Sequence, residues 1–147
     1  MKILLVSDSH SNNSALDQLA LKYPHMDLYL HAGDSMSYEW SIEPFSSVRG
    51  NCDYYGNFPE HMKLPIPKGF LWMQHKPIYD ISKLKQEGVK LFISGHTHIR
   101  KLEVIDGITF VNPGAISSSR DGYELSYAII EINDEKIDVK FYQLDEK

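Results

Sequence analysis

The stretch VKLFISGHTH, residues 89–98, joins a run of apolar side chains to two histidines. Residues 89–93 have the length and composition of a strand that is buried on both faces. His96 and His98 follow with one residue between them, and side chains so spaced in an extended segment point the same way. Gly95 permits a sharp exit from the strand. We therefore expect both imidazoles to project together from the carboxyl end of this strand. They are metal ligands if carboxylates from elsewhere in the chain lie beside them, and hydrogen-bonded core residues otherwise.

The overall composition is that of an ordinary globular protein. A chain of 147 residues is long enough to bury a two-sided core, so we predict a single domain over residues 1–147. The formal net charge of -5 argues against a broad nucleic-acid-binding face, because such binding depends on Lys and Arg neutralising phosphates. A phosphate-bearing substrate is compatible with this charge, since bound divalent cations reverse the local sign.

The compartment is predicted from what the sequence lacks. The single cysteine, Cys52, excludes an intrachain disulfide and argues against a zinc site built from thiolates. The apolar run at residues 3–6 is shorter than the roughly 7–15 residues of a secretory signal, and no stretch approaches the ~20 residues of a membrane span. We therefore expect a cytoplasmic protein without membrane association.

Apolar runs and turn signals divide the chain into strands alternating with helices, followed by hairpins. Buried strands are predicted at residues 3–6, 28–30, 45–48 and 89–93. One helix, capped by Asn12, Asn13 or Ser14, ends before Pro24, and a second is predicted at 78–87. Hairpins are predicted from 61–66 with 70–73, 101–105 with 108–111, and 123–132 with 136–143. The order favours an α/β fold of two mixed sheets packed face to face with helices outside.

Polar residues that bind metal ions follow five of the predicted strands. In α/β sheets, ligands gather outside the carboxyl ends of the strands, so these distant clusters are expected to converge. They supply two aspartates, one asparagine and four histidines, namely Asp8, His10, Asp34, Asn51, His75, His96 and His98. Nitrogen and oxygen donors without thiolate suit Mn, Fe, Co, Ni or Zn better than Mg or Ca. So many ligands predict two ions, ~3.5–4 Å apart and bridged by the two oxygens of a carboxylate.

Each cluster taken alone also has a purely structural explanation. Asp8 could cap the following helix, Asp34 and Asn51 could be turn residues, and His75 could be a hydrogen-bonded core imidazole. Their joint occurrence at matching strand ends favours the metal site. The remaining histidines, His25, His31 and His61, match no ligand pattern and are assigned no chemistry.

The order of these motifs resembles that of calcineurin-like metallophosphoesterases. The matching segments are Asp8-x-His10, Gly33-Asp34, Gly50-Asn51-Cys52-Asp53, His75 and Gly95-His96-Thr97-His98, and Val111-Asn112-Pro113-Gly114 resembles a further segment. Their spacing is most similar to that of the small bacterial and archaeal, YfcE-type phosphodiesterases, and the resemblance covers nearly the whole chain. It implies a four-layer αββα sandwich of two mixed β-sheets flanked by helices.

The resemblance also implies cofactors and a reaction. One divalent transition-metal ion would be held by Asp8, His10, Asp34 and His98, and the other by Asp34, Asn51, His75 and His96, with Asp34 bridging. Mn²⁺ is the first expectation, with Ni²⁺, Fe, Co²⁺ and Zn²⁺ as alternatives. A hydroxide bridging the two ions would hydrolyse a phosphodiester by in-line attack on phosphorus, without a side-chain nucleophile.

Three side chains are candidates for further catalytic roles, and none is assigned one: His75, Cys52 and Lys76. Cys52 stands where many larger family members have a histidine that could protonate the leaving group, and a thiol with a pKa of ~8.5 is a poor substitute. Lys76 stands where the family usually has glycine, and is either a solvated lysine or a cation that holds a substrate phosphate. Arg120 is interpreted as a solvated loop residue, with substrate contact as the alternative.

Three functions are compatible with these patterns. The leading interpretation is a phosphodiesterase, and a phosphomonoesterase would use the same ions. The third is a binding scaffold, because the retromer scaffold subunit resembles this fold but has an altered metal site. Retention of all the ligand positions favours an enzyme. The expected partners are a phosphate-ester substrate and a second copy of the chain in a homodimer.

Overall fold

The computed structural model describes residues 1–118 and 124–144. Within them the helices are Asn13–Lys22 (α1) and Ile81–Gln86 (α2), with a 3₁₀ turn at Glu39–Ser41. The strands are Lys2–Val6 (β1), Leu28–His31 (β2), Ser46–Ser47 (β3), His61–Ile66 (β4), Gly69–Gln74 (β5), Val89–Ile93 (β6), Lys101–Ile105 (β7), Ile108–Asn112 (β8), Ser126–Ile132 (β9) and Ile137–Gln143 (β10).

The strands form two five-stranded sheets, and both are mixed, as predicted. The first sheet has the order β10-β9-β1-β2-β3 and the second the order β4-β5-β6-β8-β7. In the first, β1 runs parallel to β2 and antiparallel to β9, so Leu5 is paired with Leu30 on one side and Ala128 on the other. In the second, β6 runs parallel to both β5 and β8. The predicted hairpins β4–β5, β7–β8 and β9–β10 are all present.

Alternating side chains explain how the layers stack. Along β1, Ile3 and Leu5 face the second sheet, whereas Leu4 and Val6 pack with the apolar side of α1. On the far side of the second sheet, Leu84 of α2 packs against an aromatic cluster. The layers therefore follow the order α1, first sheet, second sheet, α2, and the αββα sandwich is confirmed.

Three elements are at least two residues shorter than the sequence predicts. The strand predicted at 45–48 is confined to Ser46–Ser47, an edge strand that pairs with β2 alone. The helix predicted at 78–87 begins only at Ile81, because the Asp80 side chain accepts two backbone N–H groups and caps it there. The strand predicted from 123 begins at Ser126, and residue 123 lies outside the described residues. Among the candidate caps of α1, Asn12 is the one that accepts a backbone N–H, that of Ala15.

The parallel strands bring their carboxyl ends, and the loops that follow them, to one edge of the sandwich. Backbone hydrogen bonds tie the loops together, since the N–H of Asp8 donates to Gly33 at 3.0 Å and that of Gly95 donates to His75 at 2.9 Å. Of the helices in the described ranges, none has both the length and the apolar character needed to cross a bilayer.

Candidate metal centre

The first group of candidate ligands surrounds one oxygen of Asp8. Asp8 Oδ1 lies 3.4 Å from His98 Nε2, 3.8 Å from His75 Nε2 and 4.0 Å from His10 Nε2. Two donor atoms that are each about 2.1 Å from a shared transition-metal ion lie about 3–3.5 Å apart. The spacing around Asp8 is therefore slightly wider than that of a metal site, and binding an ion would need a contraction of about 0.5–1 Å at His10.

The second group continues directly from the first. Asp34 Oδ2 lies 3.2 Å from His75 Nε2, and Asn51 Oδ1 lies 3.0 Å from both His75 Nε2 and His96 Nδ1. Carboxylate and amide oxygens offer only lone pairs, so either a proton or a cation must lie between each of them and the imidazole. All the ligand residues named from the sequence therefore lie in one continuous cluster.

Asp34 lies between the two groups, and its two oxygens have different partners. Oδ2 is 3.9 Å from His10 Nε2 and 3.2 Å from His75 Nε2. Oδ1 accepts the backbone N–H of Cys52 at 2.8 Å. Oδ2 is therefore the oxygen that faces the two imidazoles, while Oδ1 keeps a second lone pair beside the N–H that it accepts, so a bridge between two ions through both oxygens stays a prediction.

Two buried polar atoms of the cluster have no hydrogen-bond partner, Asp8 Oδ1 and His10 Nε2. Buried polar atoms are nearly always paired, and an unpaired one costs free energy. Together with His98 they form a group whose donor atoms lie within 4.8 Å of one another, and Asp8, Asp34 and His75 form another. A divalent cation would satisfy both unpaired atoms, so the residues present suit a metal ion.

The pKa values show at which of these side chains a proton would compete with a cation. Burial raises the pKa of Asp8 despite hydrogen bonds from Ser7 and His96. Burial also acts to raise the pKa of Asp34, but hydrogen bonds from His75 and the Cys52 N–H outweigh it and lower this pKa to about 2. Burial acts to lower the pKa of His75, but its contacts with Asp34 and Asp8 raise it overall. A metal ion at His75 therefore displaces a proton, and its affinity falls with decreasing pH.

Backbone carbonyls orient two of the histidines. His75 Nδ1 donates to Ala32 O at 2.8 Å, and His98 Nδ1 donates to Ser118 O at 3.0 Å. Because Nδ1 is the donor in each ring, Nε2 is the atom presented to the carboxylates. Such a partner on the second nitrogen is the usual companion of a metal-binding imidazole.

The backbone at most of the ligands is left-handed. The φ angles are 52° at Asp8, 44° at His10, 65° at Asp34, 72° at His96 and 62° at His98. Non-glycine residues rarely adopt this region, and such strain concentrates at functional sites. The reason given above for the common direction of His96 and His98 is therefore wrong: they lie in a left-handed loop, not an extended segment. Both still reach the cluster, where His96 joins Asn51 and His98 joins Asp8.

Three glycines are required by the close packing of the cluster. A Cβ on Gly33 would lie 2.6 Å from His75 Nδ1, and one on Gly50 would overlap the Asp34 carboxylate. A Cβ on Gly95 would overlap Ser7 Oγ, which donates to Asp8. The glycines at the strand ends thus let one loop approach the ligands of another.

Asp53, to which the sequence pattern gave no role, accepts three loop N–H groups. Its Oδ2 accepts from Asp34 at 2.9 Å and from Gly50 at 2.7 Å, and its Oδ1 accepts from Met36 at 2.9 Å. Asp53 is buried and therefore fixes the backbone on both sides of Asp34. The sequence shows that Asp53 ends the Gly-Asn-Cys-Asp segment, but its three N–H donors come together only in the folded chain.

Two further buried residues were missed as anchors of the ligand loops. Asn112 donates to Gly95 O at 3.0 Å and to Thr97 Oγ1 at 3.1 Å, which fixes the loop that carries the histidine pair. His31 accepts the N–H of Gly33 through Nδ1 at 3.0 Å, so its Nε2 donates to Ser9 Oγ at 2.9 Å. His31 thereby joins the loops after β1 and β2. The other unassigned histidines, His25 and His61, make no such contact, and His61 instead stacks on Trp72.

The remaining candidates lie at the rim. Burial raises the pKa of the Cys52 thiol, and the charge of Asp34 adds to the effect. Lys76 is exposed and lines a cleft of about 390 Å³ that also adjoins Asn51 and His75. Arg120 lies outside the described residues.

We predict that Asp53→Asn weakens metal binding about ten- to hundredfold, because the amide NH₂ faces backbone donors that the carboxylate accepts. The free energy of unfolding of the metal-free protein should fall by roughly 1–3 kcal/mol. Zn²⁺ titration against a competing chelator measures the affinity, and urea unfolding measures the stability. Asp17→Asn, on the exposed side of α1, is the matched control. An affinity for Asp53→Asn within about twofold of wild type would contradict the anchoring role.

We also predict a pH-dependent loss of stability that depends on His31. Burial, followed by the nearby charge of His75, lowers the pKa of His31 from 6.5 to about 3. Between about pH 6.5 and pH 3, His31 is protonated in the unfolded chain and neutral in the folded chain. The free energy of unfolding therefore falls as the pH drops through this range. Between pH 7 and pH 5 the loss is about 2 kcal/mol.

Urea unfolding of chelator-treated protein at both pH values measures this loss. In His31→Asn the difference in unfolding free energy between the two pH values should shrink by about 2 kcal/mol. The exposed His25 provides the control variant His25→Asn, which should keep the wild-type difference. An unchanged difference in His31→Asn would contradict the assignment.

Comparisons with known proteins agree with this geometry. Residues 1–135 match the family model of the calcineurin-like phosphoesterase superfamily domain. A relative from Bacillus subtilis (strain 168), named "Probable metallophosphoesterase YsnB", is 30% identical over 153 residues, which cover 97% of this chain and 90% of the relative.

Solved structures share the whole fold. A crystal structure of a conserved uncharacterized protein, a predicted phosphoesterase from Streptococcus pneumoniae TIGR4, has a TM-score of 0.86 at 26% identity and covers 99% of this chain and 92% of that chain. An archaeal phosphodiesterase has a TM-score of 0.74 at 18% identity, with 97% of this chain and 100% of that chain covered, which shows a common fold. With the family description matched over most of its length, this chain belongs to the calcineurin-like phosphoesterase superfamily.

Proposed function

We propose that this protein is a phosphodiesterase that works with two divalent metal ions. The observation that carries the proposal is the position of Asp34 between two groups of ligand atoms, one around Asp8 Oδ1 and the other around Asn51 Oδ1. A single group would need only one ion. Two adjoining groups that share a carboxylate are the arrangement used for a pair.

The chain's own residues set the charge and the shape of the reaction site. When bound, a pair of divalent ions supplies Lewis acidity that polarises the phosphoryl oxygens and lowers the pKa of water. Asp8 and Asp34 are the only carboxylates among the proposed ligands, so a site loaded with two divalent ions keeps a net positive charge. That charge attracts a phosphate ester, despite the negative charge of the whole chain.

The proposed metal is Mn²⁺, with Ni²⁺, Fe, Co²⁺ and Zn²⁺ as alternatives. Four imidazoles, two carboxylates and one amide oxygen make up the donor set, which lacks a thiolate. Imidazole and oxygen donors together suit these borderline ions better than Ca²⁺ or Mg²⁺, which prefer oxygen alone.

A diester is the proposed substrate class because of the resemblance to small phosphodiesterases and the fold shared with an archaeal phosphodiesterase. The residue after Asn51 is Cys52, so no histidine stands there to donate a proton to the leaving group. The thiol of Cys52 has a raised pKa and is therefore a weak acid. Esters whose leaving groups depart without protonation should accordingly be the best substrates.

The two alternatives make different demands. A phosphomonoesterase would use the same ions and differ only in the ester that it accepts. A binding scaffold would not need a donor set able to activate water, so the presence of all seven ligand residues supports an enzyme. A bound cation would satisfy Asp8 Oδ1 and His10 Nε2 in either case, so turnover decides between the two.

The proposed setting is the cytoplasm, with a homodimer as the assembly and a phosphate ester as the small-molecule partner. Sedimentation analysis of the purified protein would test the assembly.

The central test is the metal content and turnover of wild type and Asp34→Asn. We expect about two ions per wild-type chain after reconstitution with Mn²⁺. Asp34→Asn keeps the shape of the side chain but removes the charge between the ions, so turnover of bis(p-nitrophenyl) phosphate should fall at least ~100-fold with the circular dichroism spectrum unchanged. Asp106→Asn is a matched control, because Asp106 is also left-handed but lies in an exposed turn.

A metal content near zero would leave the scaffold interpretation standing. Turnover of Asp34→Asn close to that of wild type at saturating Mn²⁺ would refute the bridging assignment. A p-nitrophenyl phosphate assay run in parallel distinguishes a monoesterase from a diesterase.

The second test concerns Lys76. Because its side chain is exposed, we expect Lys76→Ala to change kcat/KM by no more than about twofold on either ester, as ordinary surface changes do. Lys140→Ala, at an exposed position on β10, is the matched control. A fall of about ten- to a hundredfold in Lys76→Ala alone, with unchanged metal content, would instead identify Lys76 as a phosphate-binding cation, worth ~1.5–3 kcal/mol.

A further inference from the structure

Three aromatic side chains, Tyr38, Trp40 and Tyr55, form an exposed aromatic patch. The ring centroid of Tyr38 lies 6.1 Å from that of Trp40, with the two planes within 10° of parallel. The centroid of Tyr38 also lies 5.3 Å from that of Tyr55. The exposed fraction is 47% for Tyr38, 72% for Trp40 and 50% for Tyr55. Contiguous aromatic surface left in water is typical of a binding site.

The aromatic patch is tied to the metal centre through Asp53. Asp53 Oδ1 accepts the N–H of Met36 at 2.9 Å, and Met36 Sδ lies 3.1 Å from His10 Nδ1. Tyr38 lies two residues beyond Met36, which is at most about 7 Å of chain. Tyr55 lies two residues beyond Asp53. Both sides of the patch therefore start from residues that also hold the candidate ligands.

A second set of contacts braces the loop that carries Tyr55. The Arg49 guanidinium donates to Asp53 O at 2.8 Å and to Gly56 O at 3.3 Å. A Cβ on Gly56 would overlap the Glu39 carboxylate, so the two loops of the patch pack directly against each other. The aromatic patch is therefore a preformed surface, and binding to it would need little ordering of the chain.

The charges around the aromatic patch favour an uncharged planar ring as its ligand. Residues 37–42 and 53–57, which carry the three rings, contain no lysine, arginine or histidine. The neighbouring Arg49 guanidinium donates to carbonyls of the Tyr55 loop, and the buried Asp53 carboxylate accepts loop N–H groups, so neither charge is directed at the rings. A nucleic-acid strand needs cations along its backbone as well as rings for its bases. A single base needs only the rings, since every base has a π-face.

We propose that the aromatic patch binds the base of a nucleoside phosphodiester whose phosphorus lies at the metal centre. The inference rests on the proposed phosphodiesterase function and narrows its substrates to nucleoside esters. In such a substrate one sugar separates the phosphate from the base, and on the protein the two residues from Met36 to Tyr38 limit the distance between their Cα atoms to about 7 Å.

The test uses two diesters with the same p-nitrophenolate leaving group, thymidine 5′-(p-nitrophenyl) phosphate and methyl p-nitrophenyl phosphate. The measured quantity is the ratio of kcat/KM for the thymidine ester to kcat/KM for the methyl ester. Trp40→Ala should lower this ratio about tenfold, because stacking on one ring is lost. Trp40→Phe retains a ring and should recover most of the ratio. Leu21→Ala removes an exposed apolar side chain from α1 and should leave the ratio unchanged.

The size of the fall decides the proposal. A fall of more than about threefold in Trp40→Ala supports base stacking, and a smaller one overturns it and leaves the aromatic patch as a surface for a protein partner. Circular dichroism verifies that each variant folds. Tyr55→Ala provides the same test with the same threshold if Trp40→Ala does not fold.

Failure of the proposed function is recognised separately, because wild type would then hydrolyse neither diester. Binding then decides between the outcomes. Trp72→Phe leaves Trp40 as the sole tryptophan, since the chain has 2. Its fluorescence is titrated with adenosine 5′-monophosphate and with ribose 5-phosphate, which differ only by the base. Quenching by the nucleotide with at least about a threefold lower Kd than for ribose 5-phosphate, or with no quenching by the sugar phosphate, supports the patch. A smaller difference, or no quenching by the nucleotide, overturns it.

Discussion

Two carboxylates buried side by side, Asp8 and Asp34, make the strongest physical demand on this molecule. A carboxylate removed from water is stable only if hydrogen-bond donors or positive charges replace the water. The chain satisfies one oxygen of each: Ser7 Oγ and the His96 N–H donate to Asp8 Oδ2, and the Cys52 N–H donates to Asp34 Oδ1. The other oxygen of each faces imidazoles. A bound cation would therefore complete the packing of the fold as well as the chemistry of the site.

The same demand explains why the backbone is strained at the strand ends. Left-handed φ angles at Asp8, Asp34 and His96 place their side chains where neighbouring loops can supply donors. The strain persists because buried polar side chains hold the loop backbone in place. Asp53 accepts the N–H of Asp34, and Asn112 donates to Gly95 O in the loop that carries the histidine pair. The two packed sheets in turn hold the ends of the loops. Stability and metal binding are thus coupled through the same hydrogen bonds.

Two surfaces lie close to the candidate metal centre. A cleft lined by Lys76 and Glu60 opens beside Asn51 and His75. The aromatic patch begins at the residues that follow Met36 and Asp53. In the proposed enzyme, the metal ligands would account for reactivity, and the aromatic patch would account for selectivity.

Much of the fold and nearly all of the candidate ligands could be predicted from the sequence. A continuous apolar run followed by polar residues is a local pattern, and it marks both a buried parallel strand and the donors at its end, as in residues 3–10 and 89–98. The hairpins were equally readable, because turn residues between apolar runs are a local signal. The short strand β3 was overestimated because edge pairing depends on its neighbour rather than on its own residues.

The roles of Asp53, His31 and Asn112 were decided only by the tertiary structure. Each satisfies backbone groups of a loop that is distant in sequence, so its role depends on contacts that no local pattern records. The same is true of the orientation of the Asp34 carboxylate, in which Oδ1 accepts the N–H of Cys52 and Oδ2 faces the imidazoles. The sequence by itself thus determined which donors exist and at which strand ends they lie. The tertiary structure decided which atom of each donor faces the centre, because hydrogen bonds between loops, rather than residue type, orient the side chains.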